Sequence, residues 1–242
     1  MKQLLKRAFG SMGLEIRRIT RPDAAYTNLP DRNLYRPLFS PWYSSQSQAL
    51  YAIAAPRTLV SEDRCYVLAT LLRQALHLPG DIFECGVYRG GTAAMIARIL
   101  RDARSDKKLY LFDTFEGMPE TDPARDLHRA GDFSDTTATA VAKFVNAPDI
   151  AVLRKGFIPD TFAGLEDRQV AFAHIDVDIY RSILDSLAFI WPRLSPSGFV
   201  VFDDYGFPSC PGARAAVDEF FADKNVEPLC LQTGQAVVSK LV

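Results

Sequence analysis

No apolar run in the sequence is long enough to cross a membrane. Neither sign of charge dominates: 28 lysines and arginines face 29 aspartates and glutamates. A chain so balanced has no global drive towards nucleic acid. Cysteine is sparse, with Cys65, Cys85, Cys210 and Cys230 scattered and no C-x-x-C pair. That pattern argues against a disulfide scaffold and against a zinc site, and it suits a reducing cytoplasm. There is no internal repeat and no low-complexity tract. The opening stretch, MKQLLKRAFGSMGLEIRR, lacks the continuous apolar core of a signal peptide.

What the chain does have is length and apolar content. Its 242 residues, 48% of them hydrophobic, fit one large α/β domain or one domain with an appendage. The N-terminus is basic: Lys2, Lys6, Arg7, Arg17, Arg18 and Arg21 face only Glu15. Leu4, Leu5, Ala8, Phe9 and Met12 share one helical face there. Such a segment is either a weak membrane-surface contact or a packed leader helix; Gly10 and Gly13 weaken the helix and favour the second. Residues 22–46 carry Pro22, Pro30, Pro37 and Pro41 among Tyr26, Tyr35, Phe39, Trp42 and Tyr43. Prolines break elements, so this stretch reads as irregular chain that packs on the domain or lids a site. Residues 1–57 are therefore expected to be a leader that caps the fold or makes an oligomer contact, and residues 58–242 the domain itself.

From residue 61 strands and helices alternate. Glu62–Leu76, Thr92–Asp102, Ala138–Val145, Ser182–Trp191 and Ala213–Phe221 have helical spacing. Short apolar runs lie between them at Ile82–Val87, Leu109–Asp113, Ile150–Leu153, Val170–Asp176 and Gly198–Asp203. The tail reads as two further strands around Thr233-Gly234. Alternation of this kind predicts a doubly wound, mostly parallel sheet with a C-terminal antiparallel hairpin. Strands without polar alternation are expected to be buried on both faces.

In such a sheet ligands bind beyond the C-terminal ends of the strands. Four strands end there in polar or special residues: Glu84 and Gly86, then Asp113, Asp176, and Asp203-Asp204. The first gives ECGVYRGGT, whose Gly86, Gly90 and Gly91 let the backbone turn tightly and approach a ligand. Its spacing is not the G-x-G-x-x-G of a pyrophosphate cradle. It fits better a loop around the amino acid part of S-adenosylmethionine, where Glu84 meets a positive group; the bland alternative is an ordinary strand-to-helix turn. Asp113 lies 23 residues after Gly90, the separation at which an acid accepts ribose hydroxyls. A helix cap by Asp113 or Thr114 is the other reading of that position. Asp176, Asp203 and Asp204 would meet at one rim if their strands are neighbours. Clustered carboxylates raise one another's pKa, and a hard divalent cation such as Mg²⁺ removes that penalty. Separate structural roles are the alternative, with Lys155 and Arg181 as counter-charges.

ECGVYRGG, FDTFEGMP, GDFS, KGFIPDTF, HIDVDIYRS and FDDYG, in this order, resemble the macrocin O-methyltransferase (TylF-type) family over residues 58–225. The resemblance implies a Rossmann-like class I methyltransferase that uses S-adenosylmethionine and Mg²⁺ to methylate sugar hydroxyls. It implies that Asp176, Asp203 and Asp204 hold the metal, the last two lying 27 and 28 residues after the first. It assigns Glu84, Gly86, Tyr88, Gly90, Gly91, Thr92, Asp113 and Thr114 to the cofactor, with Phe133 and Ser134 of the GDFS segment near its adenine end. Asp176 is the expected proton acceptor, although a metal ligand is a weakened base; Asp178 is read as supporting or substrate-facing. His174 is expected in the core, and His128, in the Asp122–Gly131 loop, is a further candidate for reaching the substrate. Expected partners are a small hydroxyl acceptor, a sugar, and further copies of the chain in a homo-oligomer.

Two rivals have different chemistry. In a glycosyltransferase, Asp176-Val177-Asp178 would be the D-x-D that holds a metal and a nucleotide sugar. That leaves ECGVYRGG and Asp203-Asp204 without a role. A non-catalytic Rossmann-like module would have no reason to keep clustered acids.

Overall fold

A computed structural model describes residues 40–241 of the chain. The basic leader, and Tyr26, Tyr35 and Phe39 of the proline-aromatic stretch, lie outside the described residues. The strands are β1 (Asp81–Cys85), β2 (Leu109–Asp113), β3 (Ala151–Lys155), β4 (Val170–Ile175), β5 (Leu194–Phe202), β6 (Leu229–Cys230) and β7 (Ala236–Ser239). They form one sheet in the order β3-β2-β1-β4-β5-β7-β6. β1 to β5 are parallel, and β7 inserts antiparallel between β5 and β6. The expected α/β architecture and C-terminal hairpin are both present.

The helices are α1 (Ser45–Ala54), α2 (Glu62–Ala75), α3 (Gly91–Asp102), α4 (Ala138–Val145), α5 (Tyr180–Arg193) and α6 (Pro211–Phe221). In α2 the buried residues Cys65, Leu68, Ala69, Leu72 and Ala75 form one stripe at helical spacing. That stripe packs with α3 and α4 on one face of the sheet. On the other face α5 and α6 enclose Phe83, Phe112, Phe162 and Phe202. All six residues of β4 are buried, as an apolar strand covered on both faces requires.

Two elements differ from expectation. α1 follows the prolines closely, and its SQSQ start hides an apolar end: Leu50, Tyr51 and Ile53 pack on the core and Ala54 is buried within it. Core packing thus begins ahead of residue 58. β5 starts at Leu194, directly after α5, four residues before the expected start at Gly198. Pro196 and Ser197, the latter at φ 63°, interrupt its apolar pattern and shift its register: Leu194 pairs with Val170 of β4, and pairing resumes at Phe199 with Phe172.

β1 pairs with β2 on one side and β4 on the other, so the chain reverses its direction of travel across the sheet at this pair. A crevice opens at such a switch point beyond the strand ends, and the candidate site lies there.

Candidate active site

Gly86 leaves β1 at φ 83°, and a Cβ there would overlap the carbonyl oxygen of Asp176. The glycine lets the first loop run against the end of β4. Asp113, at the end of β2, organises that loop: its Oδ2 accepts N–H bonds from Val87 and Tyr88, each at 2.8 Å. Its Oδ1 accepts from Phe115 at 2.6 Å. Beyond the end of β4, Asp176 N–H donates to Cys85 O at 2.8 Å; beyond β5, Asp203 N–H donates to Ile175 O at 3.0 Å. The ladder bonds thus carry the acids of two adjacent strands to one rim.

A cavity of about 280 Å³ joins these parts. Of the expected cofactor residues, Gly86, Tyr88, Thr92, Asp113, Thr114 and Phe133 line it. Phe133 packs edge-on to Tyr88 with ring centroids 5.4 Å apart, so the GDFS segment lies against the first loop. Four others do not line it. Glu84 is fully buried and meets His174 Nδ1 at 3.1 Å, because the two residues are register partners on β1 and β4. Gly90 sets the start of α3 at φ 84°, where a Cβ would press on Val141 of α4. A Cβ on Gly91 would lie 2.6 Å from Ala54 O, so this glycine admits the end of α1 rather than a ligand. Ser134 is exposed outside the cavity.

Asp176, Asp203 and Asp204 all line the cavity, with Asp178 beside them. Their counter-charges are not the expected ones. Lys155 pairs with Glu116, and Arg181 with Asp185. The guanidinium of Arg64 instead pairs with Asp203 Oδ2, while Oδ1 accepts from Gln235 at 2.8 Å and lies 3.5 Å from His174 Nε2. Glu84, His174, Asp203 and Arg64 form a buried chain of two acids and two bases, balanced when His174 is protonated. Burial alone would lower the pKa of His174, but the carboxylates of Asp203 and Glu84 beside its two ring nitrogens outweigh burial and lift it to about 9. Burial pushes Asp203 up, and the His174 and Arg64 contacts more than reverse this, leaving it below the usual carboxylate range.

Among the described residues, Asp176, Asp178 and Asp204 have no lysine or arginine partner of their own, and only Asp178 pairs with a histidine, His128, at 3.7 Å. Burial, then the charges of Asp203 and Asp204, push Asp176 well up. Burial and Asp203 raise Asp204 to about 6, and burial with Asp204 raises Asp178 to about 8. Asp204 Oδ2 is buried with no hydrogen-bond partner among the described residues. An all-oxygen donor set with surplus negative charge fits a hard divalent cation.

A family model described as macrocin O-methyltransferase (TylF) matches residues 54–237. The chain belongs to the macrocin O-methyltransferase family. It is 32% identical over 168 residues to an 8-demethyl-8-(2,3-dimethoxy-α-L-rhamnosyl)-tetracenomycin-C 4′-O-methyltransferase of Streptomyces olivaceus. That match covers 64% of this chain and 62% of the relative. It is also 32% identical over 180 residues to a mycinamicin III 3″-O-methyltransferase of Micromonospora griseorubida, over 67% of this chain and 69% of the relative. The solved structure of the O-methyltransferase NovP superimposes with a TM-score of 0.69 at 26% identity. That superposition covers 77% of this chain and 83% of NovP.

Within this family member, several site residues escaped the sequence reading. Arg64 sits on α2, 139 positions before the aspartate it pairs with, and no motif marks it. His174 is a core residue, as its place in the strand predicts, and it is also the middle link of the charge chain. Asp126 lies in the loop between β2 and α4. Its Oδ1 accepts from Tyr180 N–H at 2.9 Å and its Oδ2 from Asp122 N–H at 3.0 Å, tying that loop to the start of α5.

Proposed function

We propose that this chain transfers a methyl group from S-adenosylmethionine to a hydroxyl of a sugar, free or carried on a natural product or polysaccharide. A divalent cation, Mg²⁺, assists at the rim acids. The observation that carries the reading is a single cavity joining the Gly86 and Asp113 loops to a cluster of acids left short of counter-charge. One relative is named for a rhamnosyl tetracenomycin and another for mycinamicin III, both as O-methyltransferases.

When bound, S-adenosylmethionine would supply an electrophilic methyl group on a sulfonium, and a cation at the rim acids would lower the pKa of the acceptor hydroxyl. The chain does the rest. Asp113 Oδ1, with a lone pair free beyond its bond to Phe115, receives the ribose hydroxyls. Phe133 and Tyr88 flank the adenine end. Asp176 and Asp204 would hold the cation, together with Asp203, which also pairs with Arg64. Asp178 is the better proton acceptor than Asp176, because it is not committed to the cation. It faces the same cavity from a left-handed turn at φ 57°. We place the protein in the cytoplasm, where its four free cysteines stay reduced.

The test is transfer of a radiolabelled methyl group to a panel of deoxysugar glycosides, with Mg²⁺ or with chelator. Label in the sugar that chelator abolishes is the expected result. Transfer that survives chelation would overturn the role of the cation. Label found only in phenolic acceptors would overturn the sugar.

A further inference from the structure

Beside the rim acids lies a second cluster with different chemistry. Cys210 Sγ is 3.6 Å from His128 Nε2 and 3.4 Å from Asp178 Oδ1. His128 Nε2 and Asp178 Oδ1 are 3.7 Å apart. These three atoms form a nearly equilateral triangle of sulfur, nitrogen and oxygen. Tetrahedral zinc with bonds of about 2.3 Å to sulfur and about 2.0–2.1 Å to nitrogen and oxygen requires edges of roughly 3.5, 3.5 and 3.3 Å. The observed edges fall within a few tenths of an ångström of that face.

The surroundings complete the pattern. His128 Nδ1 lies 3.3 Å from Asp132 Oδ2, so an Nδ1–H donated to that carboxylate turns the Nε2 lone pair towards the triangle. A carboxylate behind a ligating histidine is the usual outer partner of zinc. Arg129 N–H holds Asp132 Oδ2 in turn at 2.9 Å. Cys210 is 3% exposed, and the side chains of Asp178 and His128 are 18% and 20% exposed. The fourth position opens into the cavity, which all three residues line.

We infer that His128, Asp178 and Cys210 form a second, distinct cation site for a thiophilic divalent ion such as Zn²⁺, with Asp132 orienting the histidine. Its ligands lie 50 and 32 residues apart in sequence, on the loop after β2, the loop after β4 and the residue just before α6. The scattered cysteines that argued against zinc in the sequence concealed it. Binding replaces the Cys210 thiol proton, which leaves to solvent, and a thiolate takes its place on the metal. Mg²⁺, which prefers oxygen, does not compete for a Cys/His pair. Occupation ties up Asp178, so Zn²⁺ inhibits methyl transfer; this consequence rests on the proposed function, whereas the binding does not.

The probe is Co²⁺ added to the full metal-free chain in excess Mg²⁺, which saturates the rim acids. The expected result is one equivalent bound, with a thiolate-to-cobalt charge-transfer band and intense tetrahedral d–d bands, all displaced by Zn²⁺. Cys210→Ser abolishes the charge-transfer band, while Cys230→Ser, which alters an exposed thiol, keeps it. Asp132→Asn, on the surface and safe for folding, weakens Zn²⁺ about 10-fold or more. Binding without a sulfur band, a band that Cys210→Ser retains, or unchanged Zn²⁺ affinity in Asp132→Asn would overturn the site. Methyl transfer that fails in every assay while the band persists would overturn the proposed function and leave this site standing.

Discussion

Arg64→Met tests the charge chain that underlies the site. The Arg64 side chain is 12% exposed and Asp203 is fully buried, so solvent screens their pair little. Removing one partner of a buried ion pair costs about 3–5 kcal/mol, because the other charge stays behind uncompensated. Gln235 and His174 still contact Asp203, which places the loss near the lower end, about 3 kcal/mol. In a domain of this size that lowers Tm by about 6–12 °C. Arg64 also stacks over Phe207 at 4.9 Å and donates to Leu59 O at 2.8 Å, so part of the loss is unrelated to Asp203. The double variant Arg64→Met/Asp203→Asn isolates the pair: it is expected to recover more than about 1 kcal/mol relative to additivity. Urea denaturation with chelator reads both numbers. The same substitution removes a positive charge that competes with the cation, so Mg²⁺ protects Arg64→Met more than it protects the wild type. A variant within about 0.5 kcal/mol of wild type, or a purely additive pair, would refute the description of the acids.

Three further outcomes follow from the same electrostatics. Asp204→Asn relieves repulsion among buried acids, so it is expected to raise the stability of the metal-free protein while abolishing Mg²⁺-dependent activity and leaving S-adenosylmethionine binding in place; calorimetry and an activity assay separate these effects. Asp113→Ala removes the acceptor of the Val87 and Tyr88 N–H groups, two charge-assisted bonds of about 1.5–3 kcal/mol each, and is expected to weaken the cofactor at least 10-fold without loss of the cation. The metal-free protein is expected to lose stability as pH rises. His174 contributes fully below its ordinary value of 6.5 and loses that contribution as pH passes about 9. Asp204 and Asp178, raised to about 6 and about 8, likewise hold protons that the unfolded chain releases, at about 1.4 kcal/mol per pH unit for each proton retained. Asp203 acts oppositely, and only as pH falls below its ordinary value of 3.8. Stability rising from pH 6 to pH 9 in chelator would contradict this assignment of charges.

Much of the fold was legible because its central strands β1, β2 and β4 are buried on both faces and therefore read as plain apolar runs. Leu109–Asp113 and Ala138–Val145 begin and end where their patterns do. Legibility failed where a local break hid a long-range pairing, as at Pro196 in β5, or where a polar start masked an apolar end, as in α1. In the site, strand-end acids were visible because the topology sends every strand end to the same rim. Glu84 misled because its side chain stands on a buried face of the sheet beside its register partner His174, which is 90 residues away in sequence. Gly91 misled because a glycine at a helix start serves packing as readily as ligand approach, and only the position of Ala54 decides between them. Arg64 and the His128–Asp178–Cys210 triangle exist only in three dimensions, since each joins elements far apart in the chain.

Titration of S-adenosylmethionine into the purified chain by calorimetry, with and without Mg²⁺, tests the central claim most directly. The account predicts saturable binding close to one per chain in both conditions, since the Gly86 and Asp113 loops do not depend on the rim acids for their shape. Folded protein that binds no S-adenosylmethionine in either condition would contradict the claim that this cavity is a methyl-transfer site.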